Sequence, residues 1–175
     1  MKTAHPRSDI IRRGVAAGVV GGAAEAVWIS AVAVVSGISA LDVARGISSS
    51  VGMANLSSSQ EIVVGIAIHM MLAAALGIAV ALACHLLASD VMRARWLYLI
   101  VPAALVGVWV VNFTILLPLI NPEFVNLVPY PISFISKLLF GIAAAGVLAH
   151  SRRVGASGTS SRIKRHTPPK IETLR

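Results

Sequence analysis

The chain has 175 residues, of which 57% are hydrophobic and only 13% are charged. A soluble globular domain is usually about 45–50% apolar and about 25% charged, so both departures exclude an ordinary water-soluble fold and point to an integral membrane protein. The net charge of +8 gathers at the two ends and in one short connection, a pattern of membrane topology and not of a nucleic-acid face, and a single cysteine, Cys84, excludes both an intramolecular disulfide and a Cys-based metal cluster.

Residues 1–13 form a basic N-terminus with Lys2, Arg7, Arg12 and Arg13. The first apolar run, 14–36, is long enough to cross a bilayer core of about 30 Å, which takes roughly 20 residues. Gly14, Gly18, Gly22, Ala26 and Ser30 recur at every fourth position, and Glu25 stands beside them. A secretory signal peptide is the rival reading, because "AVA" at 31–33 is a small-x-small cleavage pattern. Against it, the run exceeds the usual 7–15 residues of such a segment and contains a glutamate.

The connection 37–61 has Leu41, Ala44, Ile47 and Ser48 at helical spacing. Ser39 can cap and Asp42 suits a capping box, so a short surface helix is expected there, followed by a Ser-rich loop. The second run, 62–84, repeats the four-residue spacing with Gly65, Ala73, Gly77 and Ala81, and places His69 and His85 in the gaps. Arg93 and Arg95 separate it from the third run, 97–117, which carries Trp109, Asn112 and Thr114. Between 117 and the fourth run, 132–149, Pro118 and Pro122 are expected to end the third helix, and Pro131 to open the fourth. The intervening "EFVNLVPY" is apolar enough to rest in the interface or fold onto the bundle. In the fourth run Ser133, Gly141, Ala145 and Ala149 form a third small-residue ridge, with Lys137 in its gap.

The tail 151–175 is rich in Gly, Ser, Thr, Pro and basic residues, so it is expected to be disordered and to lie near anionic lipid. With positive charge at both ends and in the 88–96 turn, the positive-inside rule puts the termini in the cytoplasm of a bacterial-type inner membrane. The expected architecture is an all-α integral membrane protein with four transmembrane helices in two antiparallel hairpins, residues 14–150 making up the membrane domain. The two halves also resemble one another weakly, as a parallel repeat would.

Small residues mark where helix backbones approach in lipid, so the ridges are expected to dock helices of this chain, of a second copy or of a larger membrane protein. Counted at 1.5 Å per residue from the outer helix ends, Glu25 lies about 16 Å deep, His69 about 10 Å, and Asn112 and Lys137 about 8 Å. Four polar groups on four helices thus fall in one half of the membrane, where an unpaired charge costs at least about 2.5–3.5 kcal/mol. They define a candidate polar pocket, with Glu25 as the titratable group and His69 as its partner. Structural pairing that merely holds helices together is the competing account.

Haem at His85 and His150 is an alternative, since only these histidines share a depth; no cofactor or metal is otherwise expected. There is no zinc-protease, nucleophile-elbow or Walker pattern, which favours a non-enzyme. The expectation is a non-enzymatic accessory or assembly subunit. The alternative is a small oligomeric transporter or channel using Glu25, His69 and Lys137.

Overall fold

The computed structural model describes residues 6–37, 39–53, 57–87 and 94–165. All regular structure in them is helical. In chain order the elements are α1 (Pro6–Ser36), α2 (Ala40–Ser50), α3 (Ser58–Leu87), α4 (Ala94–Val111), a π segment (Asn112–Leu116), α5 (Leu117–Ile120), α6 (Pro122–Leu127) and α7 (Tyr130–Arg165). Four stretches, Ser8–Ser36, Ser58–Leu86, Ala94–Ile120 and Tyr130–Arg152, are long and apolar enough to cross a membrane.

Local signals account for the helix ends. α1 stops at Gly37, whose φ of 69° is a left-handed conformation that glycine adopts without a Cβ clash. The Ser39 hydroxyl caps α2, accepting from the Leu41 and Asp42 amides at 3.2 and 3.4 Å. Asp42 turns instead to Arg45, 3.1 Å away. α3 begins at Ser58, ahead of its apolar run, because Gln60 reaches back to accept from the Ser57 amide (3.0 Å) and hydroxyl (2.8 Å). This is the reciprocal arm of a capping box.

The third span departs from expectation. Pro118 does not end it, because the helix continues through the π segment and α5 to Ile120. Proline lacks the amide that would bond four residues back, and its ring crowds that carbonyl. The widened turn just before it relieves the conflict: Leu117 N–H bonds to the Asn112 carbonyl, five residues back. Pro122 opens α6, with the Asn121 side chain as its cap, accepting from the Phe124 amide at 3.3 Å. Pro131 is the second residue of α7. At the other end α7 runs on to Arg165, through part of the stretch expected to be disordered; 166–175 lie outside the described residues. Propagating an existing helix needs no new nucleus, so a span can carry a polar extension.

α1 packs between α3 and α7, and α7 between α1 and α4; α3 and α4 share no comparable interface among the described residues. The small-residue spacing is what permits the first of these contacts. A Cβ built on Gly14 would stand 2.6 Å from Ile78 Cα, one on Gly18 2.8 Å from Ala74 Cα, and one on Gly22 2.6 Å from the Ala73 methyl. As the α1 number rises, its partner on α3 falls, so the two helices run antiparallel. Gly141 of α7 does the same against Pro102 of α4, where an added Cβ would meet the proline Cα at 2.7 Å. The glycine faces expected to receive a partner are therefore largely closed within the chain. One buried cluster joins all four spans and includes Ala17 of α1, Ala81 and Cys84 of α3, Leu97 and Val101 of α4 and Ala149 of α7. It lies toward the end where α1 and α4 begin and α3 finishes, called here the basic end. Outward residues such as Val27, Met71 and Leu99 stay 71%, 65% and 62% exposed, forming apolar faces suited to lipid.

At the opposite end α2 and α6 dock on each other and on the spans. Arg45 makes a bidentate pair with Glu61 of α3, Nε to Oε1 and Nη2 to Oε2, both 3.0 Å. The hydrogen bond and charge of Glu61 push the pKa of Arg45 still higher, so the guanidinium keeps its charge. Asn121 donates to the Gly46 carbonyl (3.1 Å) and to the hydroxyls of Ser49 and Ser50 (both 3.0 Å). Phe124 lies where a Cβ on Gly46 would be. The "EFVNLVPY" stretch thus folds onto the bundle, with Val128 buried. Asn121→Ala is expected to free α2 from α6. It removes the side-chain amide that bridges α6 to Gly46, Ser49 and Ser50, together with the side-chain cap of α6, and costs about 1–2 kcal/mol locally. Hydrogen exchange should rise in 40–50 and 122–127 while 10–30 stays protected; an unchanged α2 would refute the lock.

Candidate functional site

Glu25 and Lys137, expected to share a pocket, are in direct contact. Lys137 Nζ donates to Glu25 Oε2 at 2.7 Å, and the Ser136 hydroxyl reaches Glu25 Oε1 at 2.9 Å. Side-chain exposure is 10% for Glu25 and 17% for Lys137, so the pair is largely out of solvent. Lys137 Nζ also lies 5.5 Å from the centroid of the Phe140 ring, on whose π face a cation is favoured. Phe140 reaches this position because Gly21 has no side chain; a Cβ there would meet its ring at 2.7 Å. One turn of α1, Gly21 to Glu25, therefore supplies both the carboxylate and the slot for the ring beneath it.

The counted depths of about 16 and 8 Å concealed this contact. α1 outruns the start of α7: Trp28 Nε1 donates to the Ile132 carbonyl at 3.1 Å, so roughly the last turn to turn and a half of α1 projects past α7. Depth counted from the end of α1 is therefore not depth counted from the end of α7. The lysine stem bridges what remains.

His69 and Asn112 do not join the pair. His69 Nε2 lies 3.1 Å from the Gly22 carbonyl, which can only accept, so an Nε2–H donor bolts α3 to α1. Its contact is with backbone and not with Glu25. Asn112 starts the π segment, and among the described residues no hydrogen bond links its side chain to Glu25, His69 or Lys137. Thr114 donates to the Val110 carbonyl of its own helix at 2.6 Å and is exposed. His85 and His150 are both exposed at the basic end. Among the described residues no group of three or more His, Cys, Asp and Glu side chains is placed to hold a metal.

Two serines join the site without having been singled out for it. Ser136 completes the carboxylate's shell, and its hydroxyl also lies 2.7 Å from the Ser133 carbonyl. Ser133 accepts from Trp109 Nε1 (3.0 Å) and donates to the Tyr130 carbonyl (3.0 Å). Both serines are at most 2% exposed. The signal was available: two hydroxyls one turn apart, with the lysine directly after the second. Trp109 then stacks on Phe113 at 5.7 Å and meets Phe134 edge-on at 5.3 Å. The first two turns of α7 are thereby tied to α1 through Trp28 and Glu25, and to α4 through Trp109.

No family model, curated protein or solved structure matches the chain, so the functional reading rests on this geometry. Chemically, the arrangement is a carboxylate–ammonium pair that is neutral as a unit. Glu25 has a partner for each oxygen, and one hydroxyl is shared between that carboxylate and a helix carbonyl.

Proposed function

We propose that this chain is a small multi-pass inner-membrane protein, with both termini cytoplasmic, that serves as a non-enzymatic accessory or assembly subunit. In this reading α1 with α3 and α4 with α7 are two antiparallel membrane hairpins, and α2 lies on the outer surface. The observation that carries it is the closure of the Glu25–Lys137 pair, whose polar atoms find partners at 2.7 and 2.9 Å inside the chain. A buried pair of this kind contributes little net stability but penalises any other register, which is the best-attested use of buried polar groups. Sliding α1 by one turn, about 5.4 Å, would strand both charges in lipid. The ionisable residues thus hold a shape, and the α2–α6 cap and the outward faces of α3 and α4 are what a larger membrane partner would meet.

A second reading, a small oligomeric transporter or channel, draws on the placement of Glu25, His69 and Lys137 in spans that meet within one turn of α1. Purification from native membranes in mild detergent separates the two. The accessory reading expects a larger membrane protein at fixed stoichiometry, retained when Glu25 and Lys137 are both changed to leucine. A homo-oligomeric ring without a second protein would overturn it in favour of transport.

A further inference from the structure

We infer that the basic end of the bundle is a binding surface for anionic phospholipid headgroups, built by Arg12 and Arg13 of α1 and Arg95 of α4 around the point where all four spans converge. The convergence is set by the buried cluster of Ala17, Cys84, Leu97, Val101 and Ala149. Each arginine stands just beyond it: Arg13 is one turn before Ala17, and Arg95 two residues before Leu97. Arg152 of α7 reaches the same end, where its Nη2 donates to the Cys84 carbonyl at 3.4 Å and so ties α7 to the close of α3.

Charge complementarity identifies the occupant. Arg12 and Arg95 are exposed and Arg13 is half-buried, and among the described residues none of the three has an ion pair or a hydrogen bond from its side chain. Asp9 is the only acidic side chain described at this end. Guanidinium groups match phosphate through paired N–H donors, and three without protein partners leave those donors to an outside anion. Trp96 and Tyr98, 47% and 46% exposed, follow Arg95 within one turn with amphipathic rings that favour headgroup depth. The apolar faces just inside complete a boundary between charge and hydrocarbon, which a phospholipid spans and a soluble anion does not. Basic clusters at helix ends are recurrent headgroup sites. The selectivity resides in these span-end arginines and not in the C-terminal tail.

The test is native mass spectrometry of the full chain in mild detergent, offered phosphatidylglycerol and phosphatidylcholine of equal acyl length. Phosphatidylglycerol is expected to be retained in preference. Arg→Gln at 12, 13 and 95 should lower the retained ratio by about fivefold per arginine, and Arg→Lys at the same positions should keep most of it. Neutralising Lys164, Arg165, Lys170 and Arg175 should leave the ratio unchanged. Equal retention of the two lipids, an unaltered ratio in the triple glutamine variant, or loss only with the tail variant would overturn the assignment. So would displacement of the lipid by excess inorganic phosphate at constant ionic strength, which would mark a free-phosphate site.

Discussion

Glu25→Ala is expected to cost the fold about 3–5 kcal/mol, whereas Glu25→Leu combined with Lys137→Leu should cost far less than the two single changes together. The asymmetry follows from what each change leaves behind. Removing Glu25 strands the Lys137 ammonium in a span with only 17% of its side chain exposed, and removing Lys137 leaves the carboxylate with Ser136 alone. Removing both leaves apolar side chains where lipid and helix are already apolar. Ordinary interhelical hydrogen bonds in membranes average only about 0.6 kcal/mol, so a large single-mutant loss measures the stranded charge and not a lost bond. Unfolding of the purified protein in a mild detergent, run as a double-mutant cycle, reads this directly. Additive losses would show that the two residues do not act as a pair, and the proposed clamp would fall with them.

Gly18→Ala should be nearly as damaging, at about 3 kcal/mol, although it adds a single methyl and improves helix propensity. The new Cβ would lie against the Ala73 carbonyl and 2.8 Å from Ala74 Cα. Both are backbone, so no side chain can swing aside, and the entire α1–α3 interface must separate. Gly107→Ala is the matched control. Apart from its chain neighbours and its own turn of helix backbone, no atom lies within 4 Å of a Cβ placed there, and helix propensity alone should stabilise by up to about 1 kcal/mol. Opposite signs in thermal unfolding would support the close glycine contact; equal effects would refute it.

How much was legible differs from residue to residue. The role of Gly18 was open to reading, because close approach in lipid requires small side chains and a four-residue repeat puts them on one stripe. So was the membrane location of Lys137, since a cation within an apolar run is visible as such. That Glu25 and not His69 is joined to Lys137 was not legible. Linear counting treats each helix as starting from a common plane, but α1 extends roughly one to one and a half turns past the start of α7. His69 shows the same limit from the other side: lying at the right level, it spends its Nε2 on the Gly22 carbonyl because a glycine leaves that backbone open. Pro118 misled for a local reason. Proline stops a helix only where the turn before it cannot widen, and the π segment at 112–116 supplies that turn.

The sequence by itself determined the solvent, the number of spanning helices and the distribution of charge about them, because these depend on composition and segment length alone. Only the tertiary structure decided which neighbours each helix took, that the glycine stripes close on one another inside the chain, and that Glu25, Ser136 and Lys137 form one unit. Such pairings depend on the relative rotation and offset of whole helices. In lipid these are set by close packing and a few polar bonds, which no single segment encodes.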